Sequence, residues 1–139
     1  MPLILIVEDD EVLLGLISSI LKREGYEVRH AASAAAALEI LEKEHCDLVL
    51  TDFEMKPMNG LQMVHRIAQR SPDIGILFMS GFPAVAHAVQ EEFGPDSLVV
   101  KPFAVPELLR KIKKSLNRRA RKPSYKREFT EPRASASGN

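Results

Sequence analysis

The chain has 139 residues, 45% of them hydrophobic, which suits one domain of ordinary size and is too short for two full ones. Nineteen Lys and Arg balance nineteen Asp and Glu, which argues against a globally basic nucleic-acid binder. The balance conceals a split: residues 1–117 hold 12 basic and 17 acidic side chains, and residues 118–139 hold seven and two.

The first apolar run, Leu3–Val7, has no basic stretch before it and meets Glu8-Asp9-Asp10 after five residues. That is too short for a signal peptide or a membrane span, and it reads as a strand. A helix over Asp10–Glu24 follows, with Val12, Leu13, Leu16, Ile17, Ile20 and Leu21 spaced to cover one sheet face and Gly25 just past its end. Glu27–Ala32 alternates polar and apolar residues as an edge strand does. Ser33 is placed to cap a helix running to His45, with Ala34, Ala37, Leu38 and Leu41 along one side.

Three more strand and helix pairs follow: Asp47–Thr51 with Gly60–Arg70, Ile74–Ser80 with Pro83–Phe93, and Ser97–Val100 with Val105–Arg118. Pro83 and Pro106 stand near N1 positions, where a missing N–H costs nothing, and Leu108, Leu109, Ile112 and Leu116 stripe the last helix. Five βα units predict a parallel sheet. Right-handed crossovers and an edge second strand give the order 2-1-3-4-5, a flavodoxin-like (βα)5 doubly wound fold. The domain is expected at 1–118. Residues 119–139 form a basic tail without enough apolar surface to order itself.

The single cysteine, Cys46, cannot form an intramolecular disulfide, so a cytoplasmic location fits, and its place before an apolar strand reads as core. His30, His45, His65 and His87 lie on four different elements without ligand spacing and read as surface residues. Met55, Met58 and Met63 read as packing beneath a loop. Arg110, Lys111, Lys113 and Lys114 lie off the last apolar stripe and read as a solvated face.

The informative polar residues fall at the carboxyl ends of strands: Glu8 and Asp9 after the first, Asp52 after the third, Ser80 on the fourth and Lys101 after the fifth. In an open α/β sheet that edge is where ligands bind, near the switch between the first and third strands. Three carboxylates gathered there repel one another unless a hard divalent cation is bound, and Mg²⁺ suits a few oxygen ligands plus a phosphate. An Asp nucleophile beside Mg²⁺ and a lysine has what phosphoryl transfer needs. Asp10 and Glu11 read instead as acids favouring the positive end of a helix dipole.

Taken together, Ile6-Val7-Glu8-Asp9-Asp10, Asp47 to Asp52 with Met55 and Gly60, Met79-Ser80-Gly81 and Lys101-Pro102-Phe103 resemble the receiver domain of two-component response regulators, of the single-domain, chemotaxis-regulator-like kind. The resemblance covers about residues 1–118. It implies that Asp52 accepts a phosphoryl group from a sensor histidine kinase or a phosphotransfer protein. It also implies Mg²⁺ held by Glu8, Asp9, Asp52 and the backbone carbonyl of Glu54, with Lys101 and Ser80 hydrogen-bonding the phosphoryl oxygens and a cis Lys101–Pro102 peptide. Output would pass from the face of the fourth helix, fifth strand and fifth helix to a downstream protein target, with a phosphorylation-dependent homodimer as one form. Self-dephosphorylation is implied and turnover of an external substrate is not. Neither a membrane nor direct nucleic-acid binding by the folded domain is expected.

The chain departs from the family pattern in three ways. Leu98 replaces the aromatic that usually accompanies the switch, Lys56 takes the place four residues past Asp52 where the loop proline usually sits and Pro57 follows it, and Glu54 and Phe82 resemble positions that tune phosphoryl lifetime. Leu98 therefore motivates an alternative, a phosphorylation-independent interaction module. A haloacid-dehalogenase-type aspartyl phosphatase ranks lower, because Glu54 stands where that family needs Asp and no cap insertion is visible.

Overall fold

Strands and helices alternate through the computed structural model, which describes residues 1–121: β1 (Leu3–Val7), α1 (Glu11–Arg23), β2 (Glu27–Ala31), α2 (Ala34–Lys43), β3 (Leu48–Asp52), α3 (Gly60–Arg70), β4 (Gly75–Ser80), α4 (Pro83–Phe93), β5 (Leu98–Val100) and α5 (Val105–Arg121). The strands are parallel throughout and lie in the order β2-β1-β3-β4-β5. This is the flavodoxin-like doubly wound sheet expected from the strand and helix alternation.

The pleat divides the core in two. Leu3, Leu5, Val7, Val49 and Phe78 point to one face and pack with Ala34 and Ala37 of α2, Met63, Val64 and Ile67 of α3, and Val89 of α4. Ile4, Ile6, Leu48, Leu50, Leu77 and Met79 point to the other and pack with Leu14, Ile17 and Leu21 of α1 and Leu108 and Ile112 of α5. Burial of each such side chain contributes about 1.5–3 kcal/mol, which explains why β1 and β3 are apolar on both sides. β2 buries only Val28 on one face and Ala31 on the other, with Glu27 and His30 exposed and Arg29 partly so, as an edge strand can.

Local signals set the element ends. The Asp10 carboxylate accepts from the N–H groups of Val12 and Leu13 and starts α1, in keeping with an acid at the positive end of a helix dipole. Ser33 caps α2 by accepting from Ala36 N–H, and Asn59 with Gln62 forms a reciprocal capping box on α3. Gly25 ends the turn after α1 at φ 97°, a conformation other residues rarely adopt. Cys46 is fully buried and the four histidines are exposed, as read from sequence.

The structure departs from the sequence reading in several places. Element ends shift by a residue or two. Val12 and Leu16, expected on the apolar stripe of α1, are instead exposed, and Leu14 joins Ile17 and Leu21 against the sheet. α5 continues to Arg121, three residues past its expected end, through a stretch of good helix formers. The basic tail expected at 119–139 lies, beyond Arg121, outside the described residues. Lys111 is not part of a solvated face: it is buried, and its Nζ donates to the carbonyl of Leu98 at 2.6 Å while pairing with Glu107 at 3.5 Å. A long aliphatic stem lets a lysine bury its length and still satisfy its ammonium, which a hydrophobic stripe cannot reveal.

Candidate functional site

The carboxyl ends of β1, β3, β4 and β5 bring the polar residues to one edge of the sheet. Glu8 directly follows β1 and is almost wholly buried, Asp52 closes β3 at 4% exposure, Ser80 closes β4, and Lys101 follows β5. The register places Asp52 beside Met79 and Ser80 beside Val100, so neighbouring strands deliver these groups side by side.

Lys101 ties the crevice together. Its Nζ donates to Glu8 Oε1 at 3.1 Å and lies 3.2 Å from Asp52 Oδ1. Glu8 Oε2 also accepts the backbone N–H of Asp10 at 3.1 Å, and Asp52 Oδ1 accepts that of Glu54 at 3.3 Å. One oxygen from each of Glu8, Asp9 and Asp52 lies within 4.8 Å of the others, with Asp9 exposed and the other two buried. Three hard oxygen donors converging from two strand ends fit a small divalent cation such as Mg²⁺.

Burial dominates the electrostatics. It pushes the Glu8 and Asp52 carboxyls above their ordinary range, against the pull of hydrogen bonds and of Lys101, and each group's proximity to another acid adds to the rise. Burial alone would lower the Lys101 ammonium, but its hydrogen bond to Glu8 and the charges of Asp52 and Glu8 outweigh that, and the net direction is up. The crevice thus carries two reluctant carboxylates beside one firmly charged ammonium.

The backbone path is equally constrained. Phe53 N–H donates to Met79 O at 2.8 Å, and Gly60 N–H donates to Phe53 O at 2.9 Å, holding the start of α3 against the chain just after Asp52. A Cβ at Gly60 would collide with the Asp52 carbonyl and lie 3.1 Å from Phe53 Cα, so only glycine permits this approach. The Lys101–Pro102 peptide is cis, as is Lys56–Pro57 in the loop where the sequence departs from pattern.

Residues 4–113 match the family described as the response regulator receiver domain. The chain belongs to that family. This receiver is 36% identical over 117 residues to the response regulator receiver protein CpdR of Brucella abortus (strain 2308), an alignment covering 84% of this chain and 98% of that protein. Its fold superposes with a TM-score of 0.79 on a CheY-like response regulator receiver domain protein from Methanospirillum hungatei JF-1, at 31% identity and covering 87% of this chain and 98% of that one. A second structural relative is the response regulator TrrA of Thermotoga maritima in complex with Mg²⁺ and BeF, with TM-score 0.74, 31% identity and coverage of 82% and 98%. The chain spans about half the length of several other curated relatives it matches.

Of the residues singled out from sequence, this receiver brings Glu8, Asp9, Asp52 and Lys101 into one crevice and sets Leu98 apart. Leu98 is buried in the apolar layer with Phe78 and Val89. The Glu54 side chain is the addition: Ser80 Oγ donates to Glu54 Oε2 at 2.5 Å, and Ser80 Oγ accepts the Phe82 N–H at 3.1 Å. In the sequence Glu54 reads as a backbone ligand at a position that tunes lifetime, and no local pattern links its side chain to a hydroxyl 26 residues away.

Among the described residues no helix is long and apolar enough to cross a membrane. The histidines stay dispersed there, with His65 paired to Glu92 at 2.8 Å and His87 to Glu91 at 3.3 Å.

Proposed function

We propose that residues 1–118 work as a phosphorylation-controlled switch in which Asp52 accepts a phosphoryl group from the phosphohistidine of a sensor kinase or phosphotransfer protein. The observation that carries this reading is the buried Asp52 carboxylate, 3.2 Å from the Lys101 ammonium and grouped with Glu8 and Asp9. An Asp52 carboxylate oxygen attacks phosphorus in line as the P–N bond to the donor imidazole breaks, its electron pair returning to the ring nitrogen. Lys101 then pairs with phosphoryl oxygens in place of the bare carboxylate, and Ser80 donates a hydrogen bond to another.

Glu8, Asp9, Asp52 and the Glu54 carbonyl would hold Mg²⁺, which supplies positive charge to the phosphoryl oxygens as charge redistributes. The TrrA relative in complex with Mg²⁺ and BeF supports this assignment. Water attack on phosphorus later regenerates Asp52, so the chain takes up and loses one phosphoryl group without turning over an external substrate. The output face comprises α4, β5 and α5, where Phe82, Val100 and Val105 are exposed apolar side chains available to a downstream protein or a second copy. A cytoplasmic location accompanies this reading.

Incubation with Mg²⁺ and acetyl phosphate tests it. Intact mass is expected to rise by one phosphoryl group in the wild type and not in Asp52→Asn. No uptake, or uptake unchanged by Asp52→Asn, would overturn the reading.

A further inference from the structure

The Ser80 hydroxyl has one hydrogen, and Glu54 holds it. Ser80 Oγ donates to Glu54 Oε2 at 2.5 Å and accepts Phe82 N–H at 3.1 Å, so the donor of this hydroxyl is engaged before any phosphoryl group arrives. The function proposed above, on which this inference rests, requires the same hydrogen to reach a phosphoryl oxygen on Asp52. One hydroxyl hydrogen cannot serve two anionic acceptors at full strength, so the two bonds exclude each other.

We infer that the Glu54 side chain is a positioning residue that latches Ser80 in the unphosphorylated chain, and that phosphorylation of Asp52 exchanges the Glu54 bond for one to the phosphoryl group. The proton stays on Ser80 Oγ throughout; only its acceptor changes. The exchange is feasible because the two partners differ in exposure. Ser80 is 1% exposed and needs a protein or phosphoryl acceptor, whereas half-buried Glu54 can turn to water once released. The incoming phosphoryl charge repels the Glu54 carboxylate and favours that release.

The latch also has a mechanical connection. Phe82, whose N–H holds Ser80 Oγ, is the residue preceding α4, and it makes no side-chain capping hydrogen bond there. A turn of the Ser80 hydroxyl therefore acts directly on the residue that leads into α4. Glu54 thus sets how readily the phosphoryl group recruits α4.

The test is a beryllofluoride titration with Mg²⁺ on the full chain, comparing wild type, Glu54→Ala, Ser80→Ala and the double variant. Glu54→Ala is expected to tighten binding by roughly tenfold, the scale of a lost competing hydrogen bond to a charged group, and by much less in the Ser80→Ala background, where only the charge repulsion is left to remove. Glu54→Gln, which keeps an acceptor without the charge, is expected to fall between and carries the comparison if Glu54→Ala does not fold. Equal tightening in both backgrounds means charge repulsion alone and overturns the latch, as does no tightening in either. Binding with no Ser80 dependence removes the latch only, whereas no binding by the wild type removes the receiver chemistry and the latch together.

Discussion

At the scale of single residues, Asp52 is where stability and chemistry pull apart. Its carboxyl is pushed above the ordinary range by burial, so the fold favours the protonated form. The same holds for Glu8. Stability linked to such groups is fully present below the unfolded carboxylate values and is lost as pH rises through the raised folded values. At neutral pH without divalent cations, Asp52→Asn is therefore expected to stabilise the chain by on the order of 1 kcal/mol, a few degrees in Tm. The gain should shrink on acidification below about pH 4 and on addition of Mg²⁺. Thermal melts at neutral and acid pH, with and without Mg²⁺, check this; a lower Tm for Asp52→Asn at neutral pH without cation contradicts it.

Residue types at strand ends were legible because, the edge strand β2 aside, acids, a hydroxyl and a lysine interrupt the apolar runs where a doubly wound sheet opens. What stayed hidden were pairings that need three dimensions. Glu54 and Ser80 meet through the β3–β4 register, and nothing in either neighbourhood announces the contact.

At the scale of elements, α5 is fastened to the β5 edge by Lys111. Its ammonium donates to the Leu98 carbonyl from a buried position, whereas Lys114 makes an exposed pair with Asp96 at 3.0 Å. A buried charged hydrogen bond is worth about 1.5–3 kcal/mol, and an exposed pair about 0–1 kcal/mol. Lys111→Ala is thus expected to lower the urea midpoint clearly, and Lys114→Ala to change it little. Equal midpoints for the two variants would contradict this. The point bears on function because Leu98 occupies the position of the missing aromatic, and Lys111 holds its backbone while the side chain packs with Phe78 and Val89. Helix and strand existence was legible from spacing. The fate of Lys111 was not, because helical periodicity assigns a lysine to solvent by type, while its stem length decides where the ammonium ends.

At the scale of the whole molecule, charge separation organises the chain. The acidic body gathers Glu8, Asp9 and Asp52 at one sheet edge, where the cost of their proximity is met by Lys101 and would be met further by a divalent cation. The order β2-β1-β3-β4-β5 makes this possible by placing β1 and β3 side by side, so that Glu8 and Asp52 leave neighbouring strands. That topology followed from five βα units, right-handed crossovers and the half-polar β2, which together left few alternatives.

In the proposed switch the phosphoryl group on Asp52 is an acyl phosphate. Borohydride reduction of the chain after treatment with Mg²⁺ and acetyl phosphate, followed by peptide mass spectrometry, locates it directly, since reduction converts an aspartyl phosphate to homoserine. Homoserine is expected at position 52 alone; a product at another aspartate, or none despite a phosphorylated intact mass, would contradict phosphorylation of Asp52.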